Sequence, residues 1–260
     1  MSICVDDMNE IVLRAASIVL ENGGETYRTE DTVVYIAKSL GAVSASAFVT
    51  PTVIMFSWVD NENHHHATFK RITKRVVNLR KVAQVNDLSR RLMKRGRTSN
   101  SKQVENLLNR IEKAPEYSKT TIIIAAAVSS FMFSFMFGGN WKDGVAALCI
   151  GFILRVVVIW QQKLFLNSFI TSLISGGIIS VLSELVYFTH FINSPVIITT
   201  AVLMQVVPGL AIVNAIRDII AGDLVSGNAR IVEAFMIAAG LSIGSVLGLF
   251  CFSGVTGLVG

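Results

Sequence analysis

Hydrophobic and polar positions divide this chain into two halves. From Thr120 the apolar residues run together: TTIIIAAAVSSFMFSFMFGGN carries no charge, and four more apolar stretches follow it. About 20 apolar residues are what a helix needs to cross a hydrocarbon core about 30 Å thick. The stretches at about 120–138, 144–160, 168–188, 194–216 and 232–252 therefore predict five membrane-spanning helices.

The first half has shorter periodicities. Ile11, Val12, Ala15, Ile18 and Val19 recur at helical spacing and stop at Gly23-Gly24, which predicts a helix over about 6–22. A second helix is expected from Thr26, whose hydroxyl suits a cap, with Val33, Ile36, Ala37 and Leu40 on one face and Gly41 as its stop. ASAFVTPTVIMFSWV is β-branched and aromatic around Pro51, and it predicts either two short strands or one edge strand bulged at the proline. A third strand at about 66–72 follows the turn DNENHHH, and helices at about 80–96 and 101–113 lead to the first apolar stretch. The expected fold is thus a small α+β domain over 1–115 joined to an α-helical membrane domain over 116–260.

Mean hydropathy of +0.57 with 16% charged residues is too apolar for a soluble protein of this length. Charge is segregated: residues 1–69 hold three Lys/Arg against nine Asp/Glu, 70–113 hold fourteen against three, and the remainder six against six. The basic run abuts the first apolar stretch and lacks interleaved aromatics for base stacking, so its expected role is topological and not nucleic-acid binding. With the N-terminal domain inside, Arg155, Lys163, Arg217 and Arg230 fall at cytoplasmic ends and only Lys142 outside. Five crossings then place Gly260 outside. The acidic start, MSICVDDMNE, has no apolar core behind it and predicts no cleavable signal.

Candidate chemistry in the first half is thin. Cys4, Cys149 and Cys251 have no paired spacing. His64, His65 and His66 sit on a turn where neighbours diverge, without a carboxylate or thiol spaced to complete a shell, so a solvated hairpin is expected and no metal. Thr50, Ser57 and Ser89 lack a nucleophile-elbow context.

The segment GGETYRTEDTV is less ordinary. Glu25, Glu30 and Asp31 suit a helix start, but Arg28 does not follow from that role. GGETYRTEDTV, FVTPTVIMFS, NLRKVAQVNDLSR and VVPGLAIVNAIRDIIAGDLVSGNAR, in that order, resemble the threonine/serine exporter family along nearly the whole chain. The resemblance implies a bacterial inner-membrane exporter of small polar metabolites that works without a cofactor. It marks Glu25, Arg28, Asp31, Thr50 and Pro51 as the soluble domain's motif residues. Full-length members have two membrane halves with about ten spans. This chain resembles the larger member of split pairs, in which a small all-membrane subunit supplies the rest, and one such pair is described as a succinate exporter.

Within the membrane half, Ser168, Ser172, Gly176, Ser180 and Glu184 form a stripe at four-residue spacing that must face protein or water. Glu184 is a candidate for substrate or proton handling, with an interfacial role as the alternative; Arg155 near the inner boundary can snorkel. In the fourth stretch Gln205 precedes Pro208-Gly209, which interrupts the helix either as a simple kink or as the broken backbone that borders transporter sites. Asn214, Arg217, Asp218, Asp223 and Arg230 follow at the expected cytoplasmic mouth, where Arg217 and Arg230 suit a substrate carboxylate. Gly240, Gly244 and Gly248 predict close helix packing, within the chain or against another. The sequence as a whole predicts an exporter subunit for threonine/serine or C4 dicarboxylates. A membrane-tethered enzyme using Thr50, Ser57 or the histidines, or a sensor gating a partner, are the alternatives.

Overall fold

The computed structural model describes residues 4–96, 100–164 and 166–257; Arg97 of the basic run and Gly260 lie outside them. In chain order the main elements are α1 (Val5–Glu21), α2 (Thr26–Ser39), β1 (Ser44–Thr50), β2 (Val53–Val59), β3 (His65–Arg71), α3 (Leu79–Arg95) and α4 (Ser101–Glu112). They continue with α5 (Lys119–Met136), α6 (Trp141–Gln161), α7 (Ser168–Phe188), α8 (Pro195–Leu203), α9 (Gly209–Ile220) and α10 (Leu224–Thr256). Two compact units form. Unit 1 holds the chain up to Pro115 together with Leu210–Ile231, and unit 2 holds Glu116–Gly209 and the chain from Val232.

In unit 1, α1 buries Met8, Ile11, Val12, Ala15 and Val19, and ends where Gly23 takes φ +90°, a conformation that costs a residue with a Cβ. α2 adds Val33, Ile36 and Ala37. The sheet is antiparallel in the order β1-β2-β3, and Pro51 stands in the tight turn between two separate strands. Thr50 Oγ1 accepts the Val53 N–H at 3.2 Å and closes that turn. Val49, Ile54, Phe56 and Trp58 bury one sheet face in the core, whereas Phe48, Met55 and Phe69, directly opposed across the three strands, leave an apolar row exposed on the other. α3 and α4 start at Asn78 and Asn100, whose side chains accept from Lys81 and Lys102 backbone amides. Arg14 ties α1 to α4 through Glu112 (Nε to Oε1, 2.8 Å) and Asn109.

Four helices among the described residues, α5, α6, α7 and α10, are long and apolar enough to cross a membrane. The stretch expected as a fourth span interrupted at Pro208-Gly209 is α8, a non-helical segment at 204–208, and α9. The physical cause is Pro208, which cannot donate an amide to the preceding turn. α10 starts eight residues before the expected fifth span, at Leu224. In unit 2, Ala147, Ile150 and Leu154 of α6, Ile179 of α7 and Ile198, Ala201 and Val202 of α8 make the buried core.

The glycine stripe of α10 lies on α7. A Cβ on Gly240 would stand 2.7 Å from the Phe169 carbonyl oxygen, one on Gly248 2.6 Å from that of Gly177, and one on Gly244 would overlap the Leu173 carbonyl. The glycine stripe therefore packs against α7 inside one chain, next to Ser172 and Gly176 of the α7 stripe.

Candidate functional site

The motif residues of unit 1 meet at the turn between α1 and α2. α2 lacks a local side-chain cap: Glu25 is its N-cap residue and Thr26 lies inside the helix, so the expected Thr26 cap is not what is formed. Asp218 of α9, 192 positions along the chain, supplies it instead, accepting the Thr26 N–H at 3.1 Å on Oδ1. A carboxylate at this helix end also meets the positive pole of the peptide dipoles. Thr26 Oγ1 lies 3.3 Å from Asp223 Oδ2.

Cations from α9 and α10 complete the cluster. Arg217 Nη1 donates to Glu25 Oε1 at 2.7 Å, and Arg28 Nε lies 3.3 Å from the other Glu25 oxygen. Arg230 lies 3.0 Å from Asp218 Oδ2 and donates to the Gly24 carbonyl at 2.9 Å, while Asn214 donates to the Gly23 carbonyl at 2.9 Å. Asp218 is fully buried; burial pushes its carboxyl above the ordinary range against the pull of Thr26 and Arg230. Glu30 is likewise pushed up by burial, and its Oε1 accepts the Val49 amide at 2.8 Å. Ser226 Oγ donates to the Val49 carbonyl at 3.0 Å. The open edge of β1 is thus covered by side chains at Val49. Asn78, at the head of α3, donates its amide to Asn22 O at 3.0 Å. All four motif segments converge on this turn.

A second polar group lies in unit 2 at the break after α8. Gln205 Nε2 donates to Ser130 Oγ of α5 at 2.6 Å. A Cβ on Gly151 of α6 would meet Gln205 Nε2 at 2.5 Å, so the missing side chain makes room for the amide. Gly151 is the eleventh of the 21 residues of α6, which puts the contact near the middle of that helix.

The sequence candidates therefore separate. Glu25, Arg28, Asn214, Arg217, Asp218, Asp223 and Arg230 form one cluster; Thr50 and Pro51 build the hairpin turn beside it, and Asp31 points outward on α2. Gln205 and the Pro208-Gly209 break belong to unit 2, as do the half-buried Arg155 on α6 and Glu184 on α7. Sequence reasoning missed Ser130, Glu30 and Ser226 as polar partners. Nothing distinguishes Ser130 from other serines of apolar helices, because its partner is 75 residues away.

The hairpin histidines pair with acids of their own turn. Asp60 lies 2.9 Å from His66 Nε2 and 3.3 Å from His64 Nδ1, and the His66 hydrogen bond holds its carboxyl far below the usual range. His66 also stacks on Trp58. Among the described residues no group of three His, Cys, Asp or Glu is arranged to hold a metal ion. Ser57 is exposed on the sheet, and the buried Ser89 donates to Asn86 O at 2.8 Å.

Four apolar helices and a broken fifth segment, joined to a small α+β unit, define a multi-pass membrane protein. A family model described as "Putative threonine/serine exporter" matches residues 10–251, and the chain belongs to this transporter family. It is 21% identical over 250 residues to "Probable succinate transporter subunit YjjP" of Klebsiella aerogenes and 20% identical to the protein of that name in Escherichia coli K12, covering 93% of each chain. It is 18% identical over 252 residues to "Probable threonine/serine exporter" of Mycobacterium tuberculosis, covering 94% of this chain and 47% of that protein. No solved structure matches it at a significant level.

Proposed function

We infer that this chain is one subunit of an exporter of small hydrophilic metabolites, threonine/serine or C4 dicarboxylates such as succinate, in the bacterial inner membrane. The single observation that carries the site is the break at 204–208, which holds the Gln205 amide against Ser130 and Gly151 within the membrane unit. Non-helical backbone at membrane depth is tolerated where it borders protein or a polar path, and such breaks recur at transporter sites. Arg155 and Glu184 are the charged residues of the membrane unit proposed to serve the same path, and Arg217 is proposed to engage a substrate carboxylate.

A second, small multi-span subunit is part of this reading. It is supported by the word "subunit" in the relatives' names and by the mycobacterial relative, of which this chain covers 47%. The proposed soluble domain is 1–115, extended by 210–231. Membership of both segments in one compact unit supports an even number of crossings between them. α5, α6 and α7 supply three, so α8 with 204–208 is proposed to make the fourth return, leaving the N-terminus inside and the C-terminus outside.

Efflux of radiolabelled serine, threonine and succinate, measured with the chain and its small membrane subunit co-expressed, tests the site. Gln205→Leu removes the amide's donor and acceptor and should cut efflux of the true substrate by about tenfold or more, the scale of one lost polar contact to a charged group. Unchanged efflux of all three at matched protein level defeats the proposal for Gln205.

A further inference from the structure

α9 is amphipathic in the opposite sense to a helix on a water-soluble surface. The side that faces unit 1 carries Asn214 and Asp218, both buried and hydrogen-bonded to the α1–α2 turn, with Ala215 between them. The outward side carries Ile212, Val213, Ile216 and Ile220, exposed by 41, 44, 49 and 80%. In a 3.6-residue period these four positions form one continuous stripe, and Arg217, half exposed, lies on its rim. A helix in contact with water places its polar stripe outward; this one uses its polar stripe as internal glue.

A second exposed apolar segment adjoins the start of this helix. Val76, Val77 and Leu79 are exposed by 57, 69 and 52% in the link between β3 and α3. A Cβ on Gly23 would meet Leu210 Cδ2 at 3.5 Å, Val76 O at 3.6 Å and Val77 Cα at 3.9 Å, so the head of α9 and this link share one corner of the unit. Lys74, Arg75 and Arg80, all exposed, flank the three apolar residues. Apolar side chains bracketed by exposed cations match the boundary between acyl chains and anionic headgroups.

We propose that unit 1 docks on an anionic lipid surface, with α9 lying in the plane of the interface and the 74–80 link inserted beside it. Twelve residues of helix span only about 18 Å, too short to cross the hydrocarbon core. The chain reaches α9 from one apolar segment and leaves it for another, α10, so lipid is within reach of this surface. Opposite charge chooses anionic headgroups over a purely zwitterionic surface. The function of the stripe is to hold the polar cluster of Asn214, Arg217 and Asp218 at a fixed depth. The proposal needs only that the chain is a membrane protein, and it stands or falls apart from any reading of what is exported.

The test uses the full chain in lipid vesicles, with Cys4, Cys149 and Cys251 replaced by serine and single cysteines introduced for an environment-sensitive fluorophore. The probed positions are Val77→Cys, Ile216→Cys and Ile220→Cys. Glu62→Cys on the hairpin serves as the aqueous reference and Ile153→Cys in the middle of α6 as the deep one. Lipids carrying a nitroxide near the carbonyl or near the chain end report depth, and iodide reports water. In vesicles containing phosphatidylglycerol the three probes should be quenched about twofold more by the shallow nitroxide than by the deep one, with weak iodide quenching. Lys74→Gln with Arg80→Gln should lower shallow quenching at Val77→Cys to the level seen in phosphatidylcholine alone. Iodide quenching like that of Glu62→Cys would overturn the proposal, as would deep quenching like that of Ile153→Cys, which makes α9 a crossing helix. Protection from all three quenchers overturns it in favour of a protein cover. Equal shallow quenching in both lipids, unaffected by loss of the two charges, overturns the choice of anionic lipid.

Discussion

Arg217 and Arg230 carry the same charge and sit thirteen residues apart, yet their surroundings assign them different work. Arg230 is 11% exposed and faces the fully buried Asp218; Arg217 is 52% exposed and meets Glu25 through one nitrogen. Removing the buried cation leaves Asp218 desolvated without its counter-charge, so Arg230→Gln should destabilise unit 1 by about 3–5 kcal/mol. Adding Asp218→Asn should return much of that loss, because the charge that needed a partner is gone. Thermal unfolding in detergent of the two single variants and the double variant measures this, and strict additivity would contradict the pairing. Arg217→Lys keeps a half-exposed charge and should cost less than about 1 kcal/mol. A fall in efflux for Arg217→Lys at matched protein level would therefore report on transport and not on folding, and wild-type efflux would remove Arg217 from the substrate path.

At the scale of elements, the polar stripe of α7 and the glycine stripe of α10 look in sequence like two surfaces in need of partners. In the structure the glycines of α10 lie on α7 beside Ser172 and Gly176, which removes the argument that the glycine face demands a second chain. Gly244→Leu tests it. The new side chain would overlap the Leu173 carbonyl, and overpacking of this kind costs about 1–3 kcal/mol or more where backbone must shift. The solubilised chain, alone and without any partner, should lose thermal stability and aggregate earlier in size-exclusion runs. If the isolated variant is as stable as wild type and only subunit association suffers, the glycine face is intermolecular. α8 and α9 carry a related lesson: their combined hydropathy reads as one span, and the chain breaks it into two helices of opposite character, one in each unit.

For the whole molecule, the consequential fact is that residues 210–231 belong with the first 115. Their hydrogen bonds to the α1–α2 turn join sequence positions about 190 apart, so unit 1 closes only after the membrane segments between have been made. Reporter fusions should read inside at Lys113 and Asp223 and outside at Gly260. A cytoplasmic reading at Gly260 with Asp223 also inside would mean that α10 does not cross, and an outside reading at Asp223 would identify the segment around α8 as re-entrant; either overturns the five-crossing topology. Any truncation that ends before Leu210 should leave α2 without its Asp218 cap and make unit 1 more sensitive to trypsin.

Local pattern was enough to read much of this protein. The first two helices within a residue or so, one of the two strand readings around Pro51 and four of the five expected apolar spans follow from spacing, glycine stops and hydropathy, each a property of neighbours in the chain. The first motif segment, too, was visible as unusual, because Arg28 exceeds what helix capping asks for, whereas Arg217 and Arg230 also fit the positive-inside pattern. What these charges do was not legible. Asp218 caps a helix begun 192 residues earlier, Gln205 binds a serine 75 residues away, and the glycines of α10 lie on α7. Such pairings depend on which elements fold against each other. Periodicity reports only that a side of a helix is polar or apolar; tertiary packing decides whether that side meets protein, lipid or water.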